Sequence, residues 1–172
     1  MAIRPTIMVD PGSGREAVME EKESGLAGIC WHDSFVLGFG PMDAIHREFV
    51  DLVANVQAAP DEQLVQRLAA LEAHCTSHFE EENKWMQDTD FPPRDCHIDE
   101  HNAVLNSIRQ VQALLNEGDS ANCRRLAGEL AKWFPGHADY LDSALAHWMC
   151  KRRFGGKPVV FRRDPIGTAV SP

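Results

Sequence analysis

The 172-residue sequence contains no apolar run near the roughly 20 residues that a membrane helix requires. A membrane partner is therefore not expected. Its five cysteines (Cys30, Cys75, Cys96, Cys123, Cys150) include no CxxC pair and cannot all be bridged. That pattern points to buried thiols in a reducing compartment rather than a disulfide framework. The first 25 residues lack the basic-then-apolar layout of a secretory signal. A cytoplasmic protein with a flexible N-terminal extension over residues 1–28 is the expectation. No internal repeat or low-complexity tract is present, and 172 residues suffice for one ordinary core plus tails.

Basic residues are scarce, and those present are unevenly placed. The net charge is −9. Residues 151–172 carry six Lys or Arg (Lys151, Arg152, Arg153, Lys157, Arg162, Arg163) against Asp164, a net +5, so the first 150 residues carry −14. So acidic a body argues against nucleic acid as the main partner. The basic C-terminal tail is expected to be solvated or to fold back on the acidic body.

What the chain does have is helical period. One stripe runs Met42, His46, Phe49, Val53, Val56. A second runs Leu64, Leu68, Leu71, Cys75, His78, Glu82, Trp85, with Asp61 as a cap after Pro60 and an end at "DTDFPPRD" (88–95). A third runs His97, His101, Val104, Ile108, Val111, Leu115 and ends near Asn116-Glu117-Gly118. The last runs Leu126, Leu130, Trp133, His137, Tyr140 or Leu141, and Ala144 or Leu145, with Ser120 as its cap. Steps of three and four put each set on one face of an amphipathic helix. Four such helices joined by short turns predict an all-α fold, an up-down four-helix bundle over residues 29–150, led in by the irregular "ICWHDSFVLGFGP".

Every one of these inward stripes contains a histidine. Buried imidazoles and a carboxylate without partners are costly, and a metal centre removes that cost. His32, His74 and His147 lie off the pattern and read as ordinary polar or boundary residues. His78 with Glu82, and His97 with His101, each set two donors about 40° apart on one helix face. Asp142 completes five imidazoles and two carboxylates, too many for one tetrahedral zinc. Two bridged first-row ions fit that donor set, iron better than manganese. Ferritin-like sites need Glu-x-x-His pairs, and the sequence has none.

The stretch "WFPGHADYLD" (133–142) places Pro135 and Gly136 where the pattern reads helix. A Pro inside a helix costs about 3 kcal/mol. In a straight helix His137 and Asp142 would also lie roughly 140° apart. The expectation is a helix that continues through 133–142, distorted near Pro135 by a kink or a π-bulge, with both donors beyond the distortion.

Taken in order, "WHDSFVLGFGPMDAIH", "HFEEENKWM", "HIDEH" and "WFPGHADYLD" resemble the motifs of the hemerythrin family, specifically its bacterial single-domain members, over Trp31 to Trp148. The resemblance implies two iron ions in a non-haem centre with an oxo or hydroxo bridge. His97, His101 and His137 would hold one iron, His46 and His78 the other, with Glu82 and Asp142 bridging. It implies reversible binding of dioxygen for transport, storage or sensing, with no catalytic residue. An apolar pocket of Ile45, Phe49, Phe79, Trp85 and Trp133 would shelter the ligand. Ile45 stands where the family commonly has Gln, and Ala138 where it usually has a larger aliphatic residue. Such a change widens access, and the alternatives are a di-iron enzyme acting on peroxide or nitric oxide, or a sensing module with the tail as effector.

Overall fold

The computed structural model describes residues 28–160. The expected extension over 1–28 lies almost entirely outside the described residues, as do 161–172 of the tail. A short 3-10 turn at Asp33–Phe35 precedes α1 (Gly40–Ala58), α2 (Asp61–Asp88), α3 (Arg94–Asn116) and α4 (Ser120–His137). A π-helical segment, Ala138–Asp142, then joins α4 without a break to α5 (Ser143–Phe154). α1 packs against α2 and α4, and α3 packs against the same two, closing an up-down four-helix bundle. No described helix is long and apolar enough to cross a membrane.

The helix ends follow local chemistry. α2 starts at Asp61 with Pro60 as its cap residue, so Asp61 is the first helical residue rather than the cap. Its carboxylate instead accepts from Ser120 at 3.2 Å and from Arg124, which ties the start of α2 to the start of α4. Asp119, not Ser120, caps α4, accepting from the Asn122 backbone N–H at 3.1 Å. Gly118, at φ 98°, makes the preceding turn. Lys151, Arg152 and Arg153 occupy the last turn of α5, where positive charge complements the helix dipole, and Gly155 ends it at φ 72°. Beyond that turn the chain comes back to the start of α1: a Cβ on Gly38 would lie 2.8 Å from Pro158 Cβ.

The core consists of two apolar clusters. The larger includes Phe49, Val53, Leu64, Leu68, Cys75, Phe79, Val104, Ile108, Leu126, Leu130, Phe134 and Ala138. The smaller includes Leu37, Phe39, Met42, Met86, Phe91, Leu145 and Cys150. Two stripe positions, Trp85 and Trp133, differ from expectation, and the open alternatives at 140/141 and 144/145 resolve to Leu141 and Leu145. Met86 and Phe134 are the buried residues, while Trp85 and Trp133 are half-buried beside them. Tyr140 is 83% exposed, Ala144 is exposed, and Leu145 faces inward. All five cysteines are free; Cys75, Cys123 and Cys150 are buried, whereas Cys30 and Cys96 are exposed.

Candidate metal centre

Between the two apolar clusters lies a layer of seven polar side chains. On α1, His46 follows Met42 of the smaller cluster and precedes Phe49 of the larger. α2 contributes His78 and Glu82, α3 contributes His97 and His101, and the α4–π–α5 helix contributes His137 and Asp142. None of the seven is more than 5% exposed.

Helical spacing accounts for two of these pairs. His78 and Glu82, like His97 and His101, are one turn apart on a single face. His137 and Asp142 share a face only because the turn between them is wider. The Ser143 N–H bonds to the Ala138 carbonyl, an i→i−5 bond, in place of the α-helical step. Pro135 lies inside α4, whose helix runs on to His137. The distortion expected near Pro135, with both donors beyond it, instead begins three residues later and lies between the donors, as a π turn that brings Asp142 round to the face of His137. The His137 ring lies 4.9 Å from that of His97 and 5.3 Å from that of His101.

The carboxylates divide the imidazoles into two groups. Glu82 Oε1 lies 3.2 Å from His78 Nε2 and 3.4 Å from His46 Nε2. Its Oε2 lies 3.4 Å from His101 Nε2 and 3.5 Å from His97 Nε2. Asp142 Oδ1 lies 3.0 Å from His97 Nε2 and 3.2 Å from His137 Nε2, while Oδ2 lies 3.2 Å from His46 Nε2. Each carboxylate thus has one oxygen toward His97, His101 or His137 and the other toward His46 or His78. Donor atoms of Glu82, His97, His101, His137 and Asp142 all lie within 4.8 Å of one another, and those of His46, His78 and Glu82 form a second set.

These side chains suit a cation. Six site-facing atoms (Nε2 of His46, His97 and His101, Oε2 of Glu82, and both oxygens of Asp142) are buried without a hydrogen-bond partner among the described residues. Behind two imidazoles the tautomer is fixed. His101 Nδ1 donates to Asn83 Oδ1 at 3.2 Å, and His137 Nδ1 donates to Glu100 Oε2 at 3.1 Å. An amide oxygen and a carboxylate can only accept, so in the neutral rings Nδ1 carries the hydrogen and Nε2 presents a lone pair. That lone pair faces carboxylate oxygens, an arrangement stable only with a proton or a metal ion between them.

Without metal, protons take that place at His46 and His137 but not at His101. Burial acts most strongly on His46 and lowers its pKa, but Asp142 and Glu82 together outweigh burial and raise it to about 10. His137 is likewise lowered by burial and raised by Asp142 and Glu100, ending at about 9. Burial raises Glu82 and Asp142, yet the surrounding imidazoles hold both well below the ordinary carboxylate range. His101 is held neutral near 4, burial prevailing over Glu82. His74, one turn before His78, is also held near 4 by burial and by the neighbouring His78.

A stability peak near pH 6.5 follows for the metal-free protein. The contribution of His46 and His137 is complete below the ordinary value of 6.5 and is lost as pH rises toward 10 and 9. The contribution of His74 and His101 is complete above 6.5 and is lost as pH falls toward 4. Glu82 and Asp142 steepen the loss below about 4. Thermal melts of chelated protein from pH 4 to 10 should fall on both sides of the maximum. A midpoint that keeps rising to pH 9 would contradict this account.

Three of the five expected pocket residues touch the imidazoles. Phe79 stacks on His101 at 4.0 Å and 7°, Trp133 lies 4.3 Å from His137, and Phe49 meets His78 edge-on at 6.3 Å. Trp85 packs edge-on against Phe39 in the smaller cluster, and Ile45 is half-buried with its backbone beside His74. Phe134, not anticipated from the sequence, packs 5.3 Å from His46. His32 caps the 3-10 turn and His147 is exposed, while His74 stands at the boundary against His78 and Phe49. Sequence reasoning also missed Asn83 and Glu100. Their signal was adjacency: each sits beside a stripe donor, Glu82 and His101 respectively.

The family described as Hemerythrin HHE cation binding domain matches residues 38–148. The chain is also similar to a bacteriohemerythrin of Ralstonia nicotianae (strain ATCC BAA-1114 / GMI1000), with 40% identity over 124 residues. That alignment covers 72% of this chain and 90% of the relative. No solved structure matches significantly.

Proposed function

The chain belongs to the hemerythrin family, and from that premise we propose that it is a non-haem di-iron protein that binds dioxygen reversibly. The carrying observation is the division of seven buried donors by two carboxylates that each face both groups. His97, His101 and His137 would hold one iron, and His46 and His78 the other, with Glu82 and Asp142 shared. An iron pair held there would supply the two electrons that reversible dioxygen binding needs.

The protein's own part is to place and shelter. With one imidazole fewer, the His46–His78 side would leave a position for an added ligand on the ion it holds. Phe49, Phe79, Trp133 and Phe134 cover the imidazoles with apolar surface, which excludes water and hinders loss of charge to solvent. Ala138 is 2% exposed and packed in the larger cluster. Ile45 and Trp85 stand farther out, as part of the surrounding wall.

The test is the visible spectrum of the iron-loaded protein. A charge-transfer band should appear in air, vanish under argon and return on re-aeration. Irreversible bleaching would refute reversible binding. Consumption of peroxide or nitric oxide above that of free iron would make the centre an enzyme instead.

A further inference from the structure

The donors are not equally supported from behind. Glu100, on α3, reaches across to His137 on the next helix, and Asn83, on α2, reaches across to His101 on α3. Both tethered rings belong to the three-imidazole group. Among the described residues, the outer Nδ1 atoms of His46 and His78 are buried without a partner, as is that of His97. The two tethers run α2 to α3 and α3 to α4, so they join three helices behind one half of the site.

A tethered ring has already lost its rotational freedom, and its Nε2 already points at the site. A metal ion entering there reorganises less than one entering between His46 and His78. A carboxylate behind an imidazole also makes the far nitrogen a stronger donor. Glu100 can stay charged in that role because its side chain is 24% exposed. Five donors converge in this half, against three in the other.

We propose that Glu100, with Asn83 in support, is a positioning residue for His137, so that the three-imidazole half takes up the first metal ion and releases it last. The inference rests on the paired-metal reading above. Its test is a titration of the metal-free full-length chain with cobalt(II), followed by calorimetry and by the visible cobalt bands. The wild-type chain should take two ions in two steps. Glu100→Ala should weaken the tighter step by about 10- to 100-fold and shift its cobalt bands, leaving the weaker step in place. Glu100→Gln, which keeps the shape and an acceptor oxygen, should recover part of that loss. Asn83→Ala should act on the same step. Glu100→Ala leaves the buried His137 Nδ1 without its acceptor, so the metal-free variants should melt somewhat below wild type. The selective loss of the tighter step and the shifted cobalt bands, in protein shown to be folded, separate positioning from folding. An unchanged first step in Glu100→Ala, or equal weakening of both steps, overturns the inference and leaves the paired site standing. A wild-type chain that takes fewer than two ions overturns both.

Discussion

Glu82→Ala is expected to cut the metal content from two ions per chain to one or none. Among the described residues, Glu82 is the one side chain whose oxygens lie within 3.5 Å of four of the imidazoles, His46, His78, His97 and His101. Asp142 still faces His46, His97 and His137, so a single ion on the three-imidazole side is the most the variant can be expected to keep. The His46–His78 pair loses the carboxylate nearest to both rings. Breaking a buried charged contact on one side costs about 3–5 kcal/mol, so circular dichroism must first show that the variant is folded. Glu82→Gln is the gentler companion. It preserves volume but replaces one acceptor oxygen with an N–H donor, and should also fail to hold two ions. Elemental analysis after gel filtration gives the answer. Two tightly held ions in either variant would remove Glu82 from the proposed bridging role.

Stripping the metal should lower the melting midpoint by roughly 15 °C or more. The reason is the six site-facing atoms buried without hydrogen bonds. An unsatisfied buried polar group costs about 1–3 kcal/mol, and protons on His46 and His137 relieve only part of that. Viewed as linkage, an ion present at 1,000 times its dissociation constant adds about 4 kcal/mol, and two add about twice as much. At about 2–4 °C per kcal/mol for a chain of this size, the shift is of the stated order. Calorimetry of one preparation before chelation, after it, and after reloading makes the comparison. Equal midpoints would mean that the polar layer is satisfied without metal.

The bundle was legible because its signal is periodic: buried positions recur every three or four residues whatever their neighbours do. The polar residues on the stripes stood out against that same period. His46, His78, Glu82, His97, His101 and His137 could be named on this ground, since a lone imidazole on an apolar face needs a partner. Asp142 fell outside the straight-helix phase, and only a defect between it and His137 could bring the two together. The sequence offered Pro135 as the obvious defect, but the chain absorbs Pro135 and widens at Ala138–Asp142 instead. Glu100 and Asn83 were hidden for a different reason. Their roles depend on which helix lies opposite, and on their own helices they look like solvated surface. Neighbouring aromatics were hard to rank in the same way. Trp133 and Phe134 differ by one residue, and the bundle buries the phenylalanine while the larger indole stays half-buried against His137.

The π turn can also be counted in chain length. An i→i−5 bond holds one residue more than the α-helical turn it replaces. Around Asp139–Leu141 the helix therefore carries a surplus residue, and the fully outward Tyr140 is the natural one to count as extra. Removing it would leave His137 and the aspartate four residues apart, the same interval as His78 and Glu82, with Leu145 still turned inward. A deletion elsewhere in α4 would rotate every later side chain by about 100° and carry the aspartate away from its partners. Within this helix, the place that shapes the site is also the place where the chain could lose a residue without changing which way the rest of it faces.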